Sequence, residues 1–204
     1  MIEKGSLIVI SGPSGSGKGT ILNEYNQKYK DEKTVYSVSA TTRLPRDGEE
    51  DGVNYFYITK EEFENKISQN GFLEYARYCD NYYGTPKKAV MDALEQGINV
   101  ILEIETVGAM NVKRAYPEAV LVFVLPPSFE ELKCRLTGRG TEEADVIEKR
   151  LETAKKELAL ATEYDYVIIN DSFEKAACEF DTVIRSQRLK TINNKNTITE
   201  VLKK

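Results

Sequence analysis

The 204 residues contain no histidine. That absence excludes His–Ser and His–Cys nucleophile pairs and any metal site built on imidazole. Cysteine is scarce: Cys79, Cys134 and Cys178 are odd in number, far apart and without metal-ligand spacing, so they read as reduced thiols. No apolar run approaches the roughly 20 residues of a membrane span. The first residues lack the apolar segment of a secretory signal, and the expectation is a cytoplasmic protein. Excess charge is small as well, with 28 basic against 33 acidic side chains and a net −5, which argues against a general nucleic-acid or anionic-membrane surface. Internal repeats and low-complexity stretches are also missing.

What is present fits one globular domain with a sizeable core, since hydrophobic residues make up 41% and charged residues 30%. Short β-rich apolar runs alternate with helical patterns. Strands are expected at Leu7 to Ser11, Val35 to Val38, Asn99 to Ile104, Ala119 to Leu125 and Tyr166 to Ile169. A helix is expected from about Lys18 to Lys28. Thr59 with Glu62 and Ser128 with Glu131 have capping-box spacing, and Gly97 sits where a helix starting near Pro86 would end. Near-continuous apolar strands separated by helices imply a parallel sheet covered on both faces, an α/β fold. Two stretches break the rhythm. Thr41 to Tyr83 reads as an antiparallel insertion rich in tyrosine, and Arg135 to Arg150 as a charged helical segment; the polar tail from Thr191 gives no assignment.

The sharpest motif is Ser11-Gly-Pro-Ser-Gly-Ser-Gly-Lys-Gly-Thr20, between the first strand and the first helix. Gly12, four residues, then Gly17-Lys18 is the pattern of a phosphate-binding loop. Its glycines let backbone N–H groups turn toward phosphate oxygens, and the lysine adds positive charge. Gly12, Pro13, Ser14, Gly15, Ser16, Gly17, Lys18, Gly19 and Thr20 are therefore candidates for binding a nucleoside triphosphate, ATP by default. The hydroxyl expected directly after the lysine is displaced to Thr20, because Gly19 stands in between.

Beyond this loop the chain resembles guanylate kinases. The resemblance is carried by Ser39-Ala-Thr-Thr-Arg-Leu-Pro-Arg46, Gly48 to Tyr55, Phe72-Leu-Glu-Tyr75, Asn81-Tyr-Tyr-Gly-Thr85, Arg135 to Thr141 and Tyr164 to Asp171, in that order from about Leu7 to Arg188. It implies a P-loop three-layer fold with core 1–36, 88–129 and 152–204, a GMP-binding insertion 37–87 and a helical lid 130–151. It further implies transfer of the γ-phosphoryl group of Mg-ATP to GMP, and to dGMP, in purine nucleotide metabolism. By the same resemblance Ser39, Glu74 and Thr85 read guanine, and Arg43, Arg46, Tyr55 and Tyr83 bind the acceptor phosphate. That division suits the chemistry: planar arginine forks match a dianionic phosphate, and a carboxylate can accept from the guanine N–H donors.

Lys18, Arg43, Arg139 and Arg150 are the expected catalytic cations. Arg135 and Asn170 are added to the ATP side, the resemblance implying an Asn170 contact with adenine and the Asn170-Asp171 pair reading equally as a turn. Family members usually carry aspartate where this chain has Glu105, and a glutamine where it has Val107. Glu105 remains a candidate for the guanine 2-amino group. Glu103 joins it in the acceptor site as an organiser of the Mg²⁺ water shell. Mg²⁺ is expected through nucleotide oxygens and water, with Thr20 or Glu103 as the open alternatives for a protein contact. Nucleic-acid and membrane partners are not expected, and monomer and homodimer both stay open. Two other readings compete: a catalytically silent protein-binding domain of this kind, and a kinase for a different small acceptor.

Overall fold

The structure is a computed structural model in which residues 4–78, 80–137 and 144–203 are described. In chain order its strands and helices are β1 (Leu7–Ser11), α1 (Lys18–Lys28), β2 (Thr34–Tyr36), β3 (Ala40–Thr41), β4 (Phe56–Tyr57), α2 (Lys60–Ser68), β5 (Phe72–Tyr78), β6 (Asn81–Pro86), α3 (Lys87–Glu95), β7 (Asn99–Glu103), α4 (Thr106–Ala115), β8 (Val120–Leu125), α5 (Phe129–Thr137), α6 (Ala144–Ala159), β9 (Tyr166–Ile169), α7 (Phe173–Gln187) and α8 (Lys195–Leu202). None of the described helices is long and apolar enough to cross a membrane.

The larger sheet runs β2-β7-β1-β8-β9, and every pairing in it is parallel. Alternation along each strand builds a core on either face. Ile8, Ile10, Ile101, Val122 and Val124 pack with Ile21 and Tyr25 of α1 and with Phe180 and Ile184 of α7. Leu7, Val9, Val100, Leu102 and Leu121 pack with Val90 and Leu94 of α3 and with Ala109 and Val112 of α4. This is the three-layer α/β arrangement expected from the alternating runs. It brings the carboxyl ends of β1, β7 and β8 together, where open α/β sheets bind ligands.

The smaller sheet has the order β4-β3-β6-β5. Its β3–β6 and β5–β6 pairs are antiparallel as expected, whereas β3 and β4 pair in parallel, so the insertion is mixed. Ala40, Phe63 and Phe72 form its core, with Phe63 stacked on Phe72 at 4.2 Å between ring centroids. Leu73 of β5 belongs to the core under α3 and α4, which fastens this sheet to the larger one. A fourth cluster, Leu132, Leu136 and Ala154 with Phe129, Leu151 and Leu158 around it, joins α5 to α6.

The Thr59 capping box is complete, and Ser128 accepts from the Glu131 N–H at 3.0 Å. Gly97 takes the left-handed φ of 78° at the end of α3. Strand β2 is shifted one residue toward the N-terminus of its expected position and is shorter. The tail gave no sequence assignment, yet it forms a 3-10 turn, Thr191–Asn194, and then α8. Asn193 and Asn194 donate to the carbonyls of Gln187 and Arg188, satisfying the end of α7 and turning the chain. Cys134 and Cys178 are free and exposed, while Cys79 lies outside the described residues.

Candidate active site

The phosphate loop joins β1 to α1. Gly12, Gly15 and Gly17 have φ of 152°, 86° and 91°, the left-handed half of the map that a side chain resists. Close approach fixes two of them independently. A Cβ at Gly12 would lie 2.4 Å from the Val124 carbonyl oxygen, and one at Gly17 would lie 2.1 Å from Asn170 Nδ2. Gly17 is the N-cap of α1 and offers no side-chain cap, and the positive end of the helix lines a cavity of about 540 Å³. Lys18 Nζ donates to the Gly12 carbonyl at 2.6 Å and to that of Pro13 at 3.3 Å, folding over the loop. Burial pushes the Lys18 ammonium down in pKa, against the charges of Glu103, Glu157 and Glu105 that hold it protonated.

Three side chains brace the loop from outside. Asn170 Nδ2 donates to the Ser16 carbonyl at 2.8 Å. Arg135 donates to Glu131 at 2.8 Å, to the Asn170 carbonyl at 3.2 Å and to that same Ser16 carbonyl at 3.5 Å. From α6, Arg150 donates to Ser14 Oγ at 2.8 Å. Arg139 lies outside the described residues.

A second cavity, of about 290 Å³, opens between the insertion and the start of α4. Ser39, Tyr55, Glu74, Tyr83 and Glu105 all line it, as does the exposed Val107. Glu74 is only 7% exposed, and Thr85 donates to its Oε1 at 2.8 Å. Burial pushes the Glu74 carboxyl up in pKa, with Thr85 acting against that. The Thr85 hydroxyl is fully buried behind the carboxylate, so it orients Glu74 and does not line the cavity. Glu103 lines both cavities and is the wall they share. Its carboxyl is pushed up by desolvation and pulled back by Lys18.

Arg43 stands behind the second cavity, flanked by Tyr55 and Tyr57 at 5.5 and 5.9 Å from the ring centroids. Its fork meets Glu49 in two parallel bonds of 2.9 and 3.0 Å. The Arg46 backbone N–H and the Tyr57 hydroxyl donate to the same Glu49 carboxyl, each at 2.8 Å. These donors, Arg43 foremost, hold the Glu49 pKa down at about 2. The Arg46 side chain is exposed, and burial keeps the Tyr55 hydroxyl protonated, as a donor, beyond its ordinary range.

The structure therefore gathers Ser14, Gly15, Gly17 to Thr20, Arg135 and Asn170 at one cavity and Ser39, Tyr55, Glu74, Tyr83 and Glu105 at the other, while Gly12, Pro13 and the buried Ser16 shape the loop without lining it. Four functional neighbours escaped the sequence reading. Phe173, 42% exposed, supplies the aromatic face of the first cavity. Gly108 lets α4 approach Glu74, since a Cβ there would lie 3.1 Å from Glu74 Oε2. Glu49 and Glu157 are ordinary surface glutamates by local pattern, and only tertiary placement sets one on Arg43 and the other near Lys18. The Gly108 signal was readable, because a glycine inside a helical pattern costs stability and asks for a packing reason.

A parallel α/β sheet with a phosphate loop after its first strand, facing a second polar cleft across one glutamate, defines a P-loop nucleotide-binding protein. The sequence profile of guanylate kinase matches residues 4–187. A guanylate kinase from Clostridioides difficile (strain 630) is 52% identical over 203 residues, covering 99% of this chain and 98% of that protein. One from Listeria innocua is 49% identical over 193 residues, with 94% and 93% covered. The crystal structure of guanylate kinase from Anaplasma phagocytophilum superposes with a TM-score of 0.74 at 32% identity, covering 93% of this chain and 89% of that one. The chain belongs to the guanylate kinase family.

Proposed function

We propose that the chain transfers the γ-phosphoryl group of Mg-ATP reversibly to GMP, and to dGMP, giving ADP and the nucleoside diphosphate in the cytoplasm. The observation that carries this reading is the shared wall: Glu103 separates a phosphate-loop cavity from a cavity containing a buried carboxylate with its own hydroxyl donor. ATP occupies the first, its phosphates on the loop from Gly12 to Thr20 and on Lys18, with Arg135 and Asn170 beside it and the Phe173 ring against the base. GMP occupies the second. Its guanine donors meet Glu74, held by Thr85, and Glu105, while Ser39 offers a hydroxyl. Its phosphate meets Arg43, Arg46, Tyr55 and Tyr83.

The attacking group is a phosphate oxygen that is already anionic, so no general base is required and the lack of histidine is no handicap. Catalysis then rests on alignment and on positive charge around the transferring group, supplied by Lys18, Arg43 and Arg150, with Arg139 assigned to the same role outside the described residues. The donor set fits Mg²⁺ held mainly by nucleotide oxygens and water. Among the described residues no three acidic or thiol side chains form a cage, and Thr20 and Glu103 are oxygen donors on the cavity wall. Mg²⁺ bound there would neutralise phosphate charge. Within this division 1–36, 88–129 and 152–204 are the core, 37–87 the acceptor-binding insertion and 130–151 the lid; α6 runs through position 151 to Ala159.

The test is a coupled ADP-release assay with Mg-ATP and each nucleoside monophosphate in turn. Turnover with GMP far above AMP, CMP and UMP is expected. Folded protein that binds GMP but turns over none of the four would mark a silent binding domain.

A further inference from the structure

The Asn170 amide was expected at adenine; in the structure it lines the first cavity and its nitrogen is committed to the phosphate loop. Asn170 is only 6% exposed, and its Nδ2 lies 2.8 Å from the Ser16 carbonyl oxygen, inside the bend of the phosphate loop. The contact is tight enough that the space a Gly17 side chain would occupy is filled by the amide nitrogen, at 2.1 Å. Arg135 reaches the same carbonyl at 3.5 Å and the Asn170 backbone carbonyl at 3.2 Å, so helix α5, the end of β9 and the loop close into one network. That network has a directional consequence. The described chain has no cis peptide, and a trans peptide holds its C=O and N–H in opposite directions. Fixing the Ser16 carbonyl on Asn170 therefore fixes the Gly17 N–H pointing away from Asn170. No backbone acceptor meets that N–H among the described residues, and Gly17 lines the first cavity.

We infer that Asn170 is a positioning residue for the phosphate loop: its Nδ2, held on the Ser16 carbonyl, aims the Gly17 N–H at the donor's phosphates. Arg135 reinforces it, and Gly17 is glycine as much for the amide beside it as for its own φ of 91°. The inference rests on the reading of the first cavity as the donor site, and it predicts that Asn170 acts on phosphate whatever base is attached.

The experiment measures binding of inorganic tripolyphosphate, ATP and ITP by titration calorimetry to the wild type, Asn170→Asp and Asn170→Ala. Asn170→Asp places an acceptor against an acceptor, and about tenfold weaker binding of all three probes is expected, since an unmet buried carbonyl is costly. Asn170→Ala removes the donor without repulsion and keeps Arg135. A smaller loss of roughly threefold is expected from it, again on all three probes, and it guards against a folding defect in the aspartate variant. Weaker binding of all three probes, tripolyphosphate included, is the result the inference requires. Weaker ATP binding with unaltered tripolyphosphate and ITP binding would overturn it and return Asn170 to the base. A wild type that binds ATP only through its base, with no affinity for tripolyphosphate, would overturn the donor-site reading and this inference with it.

Discussion

At the scale of single residues, the two glutamates of the acceptor side show how placement divides identical side chains. Glu49 accepts from two Arg43 nitrogens, a backbone N–H and a tyrosine hydroxyl, and its pKa falls to about 2. Its folded pKa lies below its unfolded value. The charge therefore supports the loop above the ordinary carboxylate range and is lost as pH falls through about 2. Glu74 is shifted the other way by burial, so it takes up a proton at a higher pH than a free carboxyl, and protonation favours folding while removing the acceptor proposed for guanine. The ratio of the KM for GMP in Glu74→Gln to that of the wild type should accordingly shrink as pH is lowered. GMP's own phosphate titrates equally in both proteins, so the ratio isolates Glu74. A ratio flat with pH would remove Glu74 from base recognition.

Glu49→Gln keeps its shape but loses the charge that holds the Arg43 fork, and the KM for GMP is expected to rise about tenfold with that for ATP unchanged. A lower KM for GMP would mean instead that Glu49 competes with the substrate phosphate. For Lys18→Ala the expectation is a kcat reduced by about a hundredfold or more, and a loss below tenfold would end its assigned role. Lys18 was legible because loop motif and strand–helix context agree. Glu49 and Phe173 were not, since nothing in their local sequence reports what folds against them.

At the scale of elements, strands and caps were largely readable where local chemistry decides. Leu7–Ser11 falls where its apolar run places it because both its faces are buried, and Lys18–Lys28 and the edge strand Tyr166–Ile169 match because no competing signal intervenes. The two-residue strands β3 and β4 were not legible. Their parallel pairing depends on how the loop from 42 to 55 doubles back, with Phe56 N–H on the Ser39 carbonyl and Ile58 N–H on that of Thr41. The insertion sheet depends on few residues, and Phe63 is the centre of them: fully buried, stacked on Phe72 and on Tyr82 at 5.1 Å. Phe63→Ala should cost about 3–5 kcal/mol, as core phenylalanine truncations do. Because Glu74 and Tyr83 sit on the strands that Phe63 supports, the KM for GMP should rise well before that for ATP, while thermal melting falls. Melting unchanged with both KM values intact would show that this cluster supports neither the fold nor the site.

For the whole molecule, the decisive feature is that three packed units surround the two cavities, with β5 of the insertion also packed on α3 and α4. The main sheet has its own two cores, the insertion has the Phe63 cluster, and α5 with α6 has the Leu132 cluster. Cores that share only Leu73 between insertion and main sheet let the units turn with little unpacking, which hinge closure requires. Contacts between the units already exist: Arg150 of α6 donates to Ser14 of the phosphate loop, and Leu73 ties the insertion to the α3 and α4 face. A bound donor and acceptor together add anionic charge between Lys18, Arg43 and Arg150, so each phosphate attracts cations from two units at once. Closure is then expected to be large only when both sites are filled, excluding the water that would otherwise compete as acceptor. Small-angle scattering should show a smaller radius of gyration with a bisubstrate analogue than with ATP analogue or GMP alone. No compaction with the bisubstrate analogue, under conditions where calorimetry shows it bound, would mean that the arginines act from fixed positions and that the two cavities are already aligned for transfer.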